Sequence, residues 1–240
     1  MIEIKNITKK YGEKIAVNDL SLSLNNGEIF GFIGPNGAGK STTIKMMTGV
    51  TNIDDGSISI EGFDISKEPI EAKKQFGFVP DSPDLFLRLK GIEYLNFIGD
   101  IYNVDKQTRK TKIDELSIKF EMDKELNNKI QSYSHGMRQK IMIIGALLHE
   151  PKTWILDEPM TGLDPKSSFL LKEMMREHAS KGHTVFFSTH VLEVAEKLCD
   201  RIGIINKGKL IYCGTMNELK ERYQDLDLES IFLKLTTENE

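Results

Sequence analysis

Apolar residues follow two different spacings along this chain. At residues 20–24, leucine alternates with serine, which is the period-two pattern of a strand with one buried face. At residues 94–101, aromatic and aliphatic residues recur every three or four positions, as they do on one face of a helix. The change of period indicates that strand-rich sequence is interrupted by a helical segment.

Strand-like segments occur on both sides of that helical segment, which extends from about residue 85 to residue 150. They are short and mostly apolar, and they lie at residues 1–10, 20–24, 28–33, 57–60, 76–79, 153–156, 184–187 and 202–205. Helical patterns separate the strands that follow residue 150. Because strands that alternate with helices form parallel sheets, this order predicts a mostly parallel α/β core with a helical insertion.

Composition and charge narrow the possible functions. The chain has 240 residues, of which 39% are hydrophobic and 28% charged, and its net charge is −4. This balance, without a basic stripe, argues against a nucleic-acid binder. We expect no targeting segment, because the N-terminus already has strand character, and no membrane span, because the longest apolar run is residues 141–148. A role at a membrane would therefore need a partner protein.

A glycine-rich motif, here called the phosphate loop, follows the third strand-like segment. It consists of Gly34, Pro35, Asn36, Gly37, Ala38, Gly39, Lys40 and Ser41, with Thr42 next, and fits the pattern GxxxxGK[ST]. Glycines let backbone N–H groups surround a triphosphate, and a helix expected at about residues 40–48 directs its positive end there. Lys40 would contact the β- and γ-phosphates, and the Ser41 hydroxyl would bind Mg²⁺. An unliganded glycine-rich turn is the alternative.

Two carboxylates end a second buried strand. Residues 154–156 are apolar and precede Asp157 and Glu158, here called the acidic pair. Open α/β sheets bind ligands at the carboxyl ends of their strands. We expect Asp157 to hold Mg²⁺, directly or through a water, and Glu158 to accept the proton of an attacking water. A surface acidic pair that only closes the strand is the alternative.

A third motif, YSHGMRQK at residues 133–140, lies between these two sites. Here the sequence resembles the ATP-binding subunits of ABC transporters, whose signature is LSGGQ followed by a basic residue. Ser134 and Gly136 match that signature, and the residues beside them depart from it in a way similar to the branch that exports drugs, bacteriocins and other peptides. In that family the signature of one subunit closes over the γ-phosphate held by the other. By itself the motif also fits a serine cap before an amphipathic helix.

Three further residues fit the order of motifs in that family. Asp164, in the sequence TGLD after the acidic pair, resembles the D-loop residue that crosses the dimer interface. His190 resembles the switch histidine that contacts the γ-phosphate, although a single histidine more often has a structural role. Tyr11 resembles the aromatic residue that stacks on adenine, and its alternative is a tyrosine that simply ends a strand.

One position departs from the family pattern. Where the family carries a glutamine after the strand that leads into the helical lobe, this sequence has Asp81. Aspartate is shorter and charged, and we hypothesise that it senses Mg²⁺ through a water. A loop aspartate between two prolines, with Ser82 or another residue in the sensing role, is the alternative.

The resemblance covers nearly the whole chain and implies its fold. It implies one ABC ATP-binding domain at residues 1–240, with a P-loop NTPase core, an antiparallel β subdomain and an inserted α-helical subdomain at about residues 82–150. A C-terminal helical tail is expected at about residues 215–240. Apolar residues at the start of the lobe would line a groove for a partner's helix or fill the lobe's own core: Leu85, Phe86, Leu87, Leu89 and Tyr94.

The resemblance also implies a function, with ATP and Mg²⁺ as cofactors. It implies an ATPase that powers membrane transport by closing and opening of a dimer, either a homodimer or a heterodimer of ATP-binding subunits. Separate transmembrane permease subunits would hold the cytoplasmic chain at the inner face of the cell membrane, and no nucleic acid is expected as a partner. The signature variant, and the lack of room for a regulatory domain before residue 240, favour export.

Two other function classes compete with transport. A non-transport soluble ABC ATPase would act in translation, DNA repair or cofactor assembly, but the chain has a single set of motifs and no heptad repeats. A P-loop kinase or nucleic-acid motor would explain Lys40 and Asp157, but it gives no reason for Ser134, Asp164 and His190 in series.

Overall fold

The structure is a computed structural model, and it describes residues 1–223 and 226–237. The strands are β1 (Ile2–Tyr11), β2 (Lys14–Leu24), β3 (Ile29–Ile33), β4 (Asp55–Ile60), β5 (Phe63–Asp64), β6 (Phe76–Val79), β7 (Thr153–Leu156), β8 (Thr184–Thr189), β9 (Arg201–Asn206) and β10 (Lys209–Thr215). The helices are α1 (Lys40–Met47), α2 (Pro69–Lys74), α3 (Gly91–Ile101), α4 (Lys106–Lys119), α5 (His135–Leu147), α6 (Pro165–Ser180), α7 (Leu192–Leu198), α8 (Met216–Arg222) and α9 (Leu228–Thr237).

The strands form two sheets of different type. The larger has the order β10-β9-β3-β8-β7-β6, in which all neighbours are parallel except β10 and β9. The smaller has the order β2-β1-β4-β5 and is antiparallel throughout. The predicted α/β class, with a mostly parallel core and a separate antiparallel β part, is confirmed.

The register of the parallel strands brings distant segments to one edge of the larger sheet. Ile33, at the end of β3, pairs with Thr189, at the end of β8. Leu156, at the end of β7, pairs with Phe187 in β8. Because parallel strands end on the same side, the phosphate loop, the acidic pair and the segment after β8 begin beside one another.

Both faces of the larger sheet are covered, as a parallel sheet requires. In β8, Val185 and Phe187 belong to the core shared with the helical insertion and α6, whereas Phe186 belongs to the core shared with α1 and the antiparallel sheet. Successive residues of a strand point to opposite faces, so this alternation places α1 on the side of the antiparallel sheet. The acidic and glycine-rich ends of the strands lie between these two cores.

The helical insertion begins later than the sequence pattern indicates. The pattern becomes helical near residue 85, but the first helix, α3, starts at Gly91. The residues just before it instead accept hydrogen bonds from a short 3-10 turn at residues 130–132: Ile130 N–H donates to Leu89 O and Gln131 N–H donates to Leu87 O. These long-range bonds hold residues 87–89 in a loop, where the sequence pattern indicates helical bonds.

The apolar residues at the start of the insertion divide between the two roles considered for them. Tyr94 is buried in the lobe's core, and Leu87 and Leu89 pack partly against it. Leu85 and Phe86 are exposed. The lobe therefore fills its interior with some of these residues and presents the others on its surface.

Two helices follow β10 at the end of the described chain. Thr215 caps α8 in a capping box with Glu218, and α9 buries Leu228, Ile231 and Leu235 beside strand β9. Residues 224–225 and 238–240 of the expected tail lie outside the described residues. Over the described part of the chain, no helix is both long and apolar enough to cross a lipid bilayer.

Candidate active site

Two glycines of the phosphate loop, Gly34 and Gly39, leave no space for a side chain. Gly39 has φ +115°, and a Cβ there would lie 2.7 Å from Ala16 O. A Cβ on Gly34 would lie 2.4 Å from Ile205 O. The loop therefore packs backbone to backbone, and its turn ends at Gly39, the N-cap of α1.

Lys40 lies across the phosphate loop rather than in solvent. Its side chain is 7% exposed, and its Nζ donates hydrogen bonds to Gly34 O at 2.7 Å and to Pro35 O at 3.4 Å. The same Nζ lies 3.7 Å from Glu158 Oε1. A single positive charge thus lies between the loop and the acidic pair, where an anionic group would be attracted.

Asp157 is a buried carboxylate with two hydroxyl neighbours. Ser188 Oγ donates to Asp157 Oδ1 at 2.6 Å, and the Ser41 side chain also hydrogen-bonds to this carboxylate. Burial raises the pKa of Asp157, and the Asp81 and Glu158 carboxylates add to that rise. A bound cation would relieve this repulsion, so the surroundings fit a divalent metal beside Ser41 and Asp157.

Glu158 extends into the space between the phosphate loop and the end of β8. Its φ is +48°, a left-handed conformation that few non-glycine residues adopt. Its Oε2 lies 3.0 Å from His190 Nδ1, and its Oε1 faces Lys40. The Glu158 side chain is 13% exposed and that of His190 58%. The carboxylate is therefore held by two side chains from different elements.

These groups surround a cavity of about 710 Å³, which falls in the size range of small-molecule sites. The predicted residues that line it are Tyr11, Pro35, Asn36, Gly37, Gly39, Lys40, Ser41, Thr42, Asp81, Glu158 and His190. Six further residues also line it: Lys14, Ile15, Ala16, Thr161, Lys207 and Gly208. Thr161 begins the TGLD sequence, and the other five come from β2 and from the β9–β10 turn, where no local motif marks them.

Three of the predicted phosphate-site residues do not line the cavity directly. Gly34 and Ala38 form the back of the phosphate loop; Ala38 is buried, and Gly34 accepts the bond from Lys40. Asp157 is 4% exposed and lies beside Ser41. Gly34 and Ala38 therefore shape the phosphate loop, and Asp157 adds negative charge next to the cavity without lining it.

The signature residues lie outside the cavity of this single chain. Ser134 is exposed and caps α5, where its Oγ accepts from Met137 N–H at 3.3 Å. A Cβ on Gly136 would lie 2.5 Å from Gly162 O, so the start of α5 packs closely against the TGLD segment. Neither residue lines the cavity that contains Lys40.

Asp164 also lies outside the cavity, and its bonds are to other residues of the same chain. It caps α6 by accepting from Ser167 N–H at 2.9 Å, and Lys140 Nζ lies 2.8 Å from its Oδ2. The hydrogen bond from Lys140, together with those from Ser167, lowers the pKa of Asp164 well below its usual range. This carboxylate therefore ties the TGLD segment to α5.

The donor set suits magnesium held together with a ligand, not a metal held by protein alone. Among residues 1–223 and 226–237, no group of three or more histidine, cysteine, aspartate or glutamate side chains is arranged to hold a metal ion. Magnesium usually takes one or two protein ligands and completes its shell with waters and phosphate oxygens. Ser41 and Asp157, with Asp81 nearby, match that smaller requirement.

Comparison with known proteins identifies the same family that the sequence motifs resemble. A family model described as "ABC transporter" matches residues 17–161. The linearmycin resistance ATP-binding protein LnrL of Bacillus subtilis is 40% identical over 222 residues, which are 92% of this chain and 71% of that protein.

Two solved structures have the same fold. The structure of an ATP-binding subunit of an ABC transporter aligns with a TM-score of 0.93 at 32% identity, over 98% of this chain and 99% of that one. A dimeric structure of a bacterial ABC transporter cassette aligns with a TM-score of 0.81 at 25% identity, over 90% and 99% of the two chains. The motifs, the cavity and these matches agree, and we conclude that the chain belongs to the ABC transporter family as an ATP-binding subunit, an ATPase that powers membrane transport.

Proposed function

We propose that this chain works in a dimer of ATP-binding subunits that holds two ATP molecules head to tail. The observation that carries the proposal is the separation of the motifs. The cavity collects Lys40, Glu158 and His190, whereas Ser134 and Gly136 lie outside it. One chain therefore offers only part of a phosphate site, and the start of α5 in a second chain would complete it.

The phosphate loop and Lys40 would bind the triphosphate. Backbone N–H groups at the start of α1 favour anions, and Lys40 adds a full charge at the same place. Tyr11 ends β1 at the rim of the cavity and is half exposed, so its ring would stack on a base there. Ser41, Asp157 and Asp81 would hold Mg²⁺, and the bound metal would neutralise charge on the phosphates.

Glu158 and His190 would act on the attacking water. Glu158 carries its carboxylate into the cavity and has Lys40 on one side, so it would accept a proton from a water beside the phosphate site. His190 would orient that carboxylate and contact the γ-phosphate. Lys40 would offset the negative charge that develops at the same time.

Completion of the site by a second chain would couple hydrolysis to motion. Ser134 and Gly136 stand at the N-terminus of α5, a helix end that attracts anions. ATP would draw the two chains together, and cleavage would remove that attraction. The dimeric bacterial cassette with the same fold supports this arrangement. Either two copies or two different subunits would satisfy it.

The surface of the helical lobe would receive the membrane partner. Phe86 and Phe97 are exposed, and their ring centroids lie 5.8 Å apart. Leu85, which precedes Phe86 in the sequence, is also exposed, so the lobe presents an apolar surface that begins a few residues after Asp81. A contiguous patch of this kind marks a protein interface more reliably than scattered apolar residues do. We assign it to a cytosolic helix of a permease subunit.

The proposed permease partner would determine where the chain is located, and other features favour a direction of transport. A chain held by permease subunits would lie at the cytoplasmic face of the cell membrane. The signature variant of residues 133–137 and the similarity to a protein named for linearmycin resistance support export. The cargo would be selected by the permease, because the cavity described above serves the nucleotide.

Replacing the proposed base tests the function directly. Glu158→Gln should bind ATP, hydrolyse it at least about 10²-fold more slowly, and elute as a dimer with saturating Mg-ATP, because the site closes but cannot reopen. ATP turnover and size-exclusion chromatography are the measurements. Glu115→Gln, an exposed substitution on α4, is the control and should behave like the wild type. A monomeric Glu158→Gln protein under these conditions would contradict the dimer.

A further inference from the structure

Ser188 connects both members of the acidic pair through one hydroxyl group. The residue is fully buried near the end of β8. Its Oγ donates to Asp157 Oδ1 at 2.6 Å and accepts from the backbone N–H of Glu158 at 2.9 Å. The direction of the hydroxyl proton is fixed by these two bonds, because a carboxylate accepts and an amide donates.

The bond to Glu158 replaces a missing sheet hydrogen bond. Asp157 N–H still donates to Val79 O, and the pairing of β7 with β8 ends at Leu156. Glu158 lies two residues beyond the last β7–β8 pair, and Ser188 Oγ is the acceptor for its N–H. A side chain of β8 thus continues the connection between these strands past the end of their backbone pairing.

Glu158 needs such support because its backbone is left-handed. A non-glycine residue at φ +48° persists only where the surrounding structure holds it. That conformation directs the carboxylate between Lys40 and His190. If the Glu158 amide lost its acceptor, the backbone would relax toward a more favourable region and the carboxylate would leave this position.

We propose that Ser188 is a positioning residue for ATP hydrolysis, which fixes the turn after β7 so that Glu158 faces the attacking water. The inference rests on the proposed role of Glu158 as the base. Ser188 itself does not line the cavity. It would act through the backbone of Glu158 and through Asp157, and it would affect turnover more than ATP binding, because its hydroxyl bonds to the acidic pair and not to Lys40 or the phosphate loop.

If Ser188 had only a structural role and its hydrogen bonds contributed to stability alone, its replacement would give a different result. Its loss would lower stability and leave the turnover number of the folded protein unchanged. Thr184 offers a matched control on the same strand, because it is also fully buried and its Oγ1 donates to Asn25 O at 3.2 Å, at the opposite end of β8. Thr184→Val removes one buried hydroxyl without touching the acidic pair.

The test compares Ser188→Ala, Ser188→Thr and Thr184→Val in the full chain. For Ser188→Ala we expect kcat to fall about tenfold with KM for ATP changed less than about twofold, because a positioned hydrogen bond is lost and the ATP contacts remain. In the nucleotide-free protein, exchange of the Glu158 amide hydrogen should become about tenfold faster. Ser188→Thr, which keeps the hydroxyl, should restore both values, and Thr184→Val should lower only the melting temperature.

Two results would overturn the proposal. The first is a folded Ser188→Ala protein with wild-type kcat. The second is reduced kcat with unchanged exchange of the Glu158 amide, which would assign the loss to another cause. Should Ser188→Ala not fold, Ser188→Cys replaces it, since a thiol is a weaker acceptor of similar shape, and the same kcat and exchange criteria apply. Normal hydrolysis by Glu158→Gln would instead overturn the proposed function, so the two failures can be told apart.

Discussion

The phosphate loop and the start of α5 differ in how far one chain completes them. Around the phosphate loop, Lys40 and Asp157 are buried and bonded within the chain. At the start of α5, Ser134 is exposed, and its hydroxyl caps the helix by accepting from Met137 N–H. The first region is organised by bonds within the chain, and the second presents the start of its helix outward. In the proposed dimer, the two regions would meet across the boundary between chains.

The largest effect should come from the organised region. Lys40→Ala removes the charge that lies between the phosphate loop and Glu158, and hydrolysis should fall by about 10²–10³-fold, with weaker ATP binding as well. Steady-state ATPase rates and equilibrium binding of a fluorescent ATP analogue are the measurements. Lys45→Ala, an exposed lysine of α1, is the matched control and should retain activity. Normal hydrolysis by Lys40→Ala would remove the basis of the assignment.

A smaller effect, with a different signature, should come from the outward region. Ser134→Arg places a bulky side chain where a second chain would approach, and hydrolysis should fall by about 10- to 100-fold while ATP binding to the monomer remains. ATP-dependent dimer formation, measured by light scattering, should be lost with it.

The control for Ser134 must also lose a helix cap. Thr215→Arg removes the cap of α8, at a similar cost of about 1 kcal/mol in stability, and should keep its ATPase activity. Wild-type turnover by Ser134→Arg would mean that the start of α5 plays no part in hydrolysis, and the comparison between the two regions would fail.

The smallest effect should come from Asp81, which lies at the rim of the organised region. Asp81→Ala should raise the Mg²⁺ concentration for half-maximal ATPase by about three- to tenfold and change the rate little at saturating Mg²⁺, because the side chain would reach the metal only through a water. A Mg²⁺ titration of the ATPase rate checks this. Asp84→Ala, which removes an exposed carboxylate paired with Arg138, should not shift the titration. An unchanged Mg²⁺ dependence in Asp81→Ala would leave the sensing role to another residue.

Local sequence patterns were sufficient to predict the strands that consist of short apolar runs. The prediction of a strand at residues 76–79 matches the observed bounds, because an apolar run of that length, followed by proline, is too short for a buried helix. β10 was missed, since it contains lysine, cysteine and glycine and gains its place from pairing with β9. The early part of the helical insertion was misplaced for a related reason, because Leu87 and Leu89 use their carbonyls in pairing with residues 130–131.

The candidate site likewise contains residues that the sequence indicated and residues that it did not. Lys40, Ser41 and Glu158 stand in short motifs whose residue types and order indicate their chemistry. Ser188 and Lys207 carry no such motif, because a lone serine in a strand and a lysine before a turn glycine are ordinary. Their positions depend on which strands are neighbours, and neighbours in this sheet are distant in the chain.

By itself, the sequence determined the class of fold, the phosphate loop, the acidic pair and the order of the family's motifs, since each depends on residues that are close in the chain. Only the tertiary structure decided that Glu158 faces both Lys40 and His190, that Ser188 links the acidic pair to β8, and that Ser134 lies outside the cavity. The physical reason is that these relations depend on the register of parallel strands, and that register is set by pairing and packing across the whole domain.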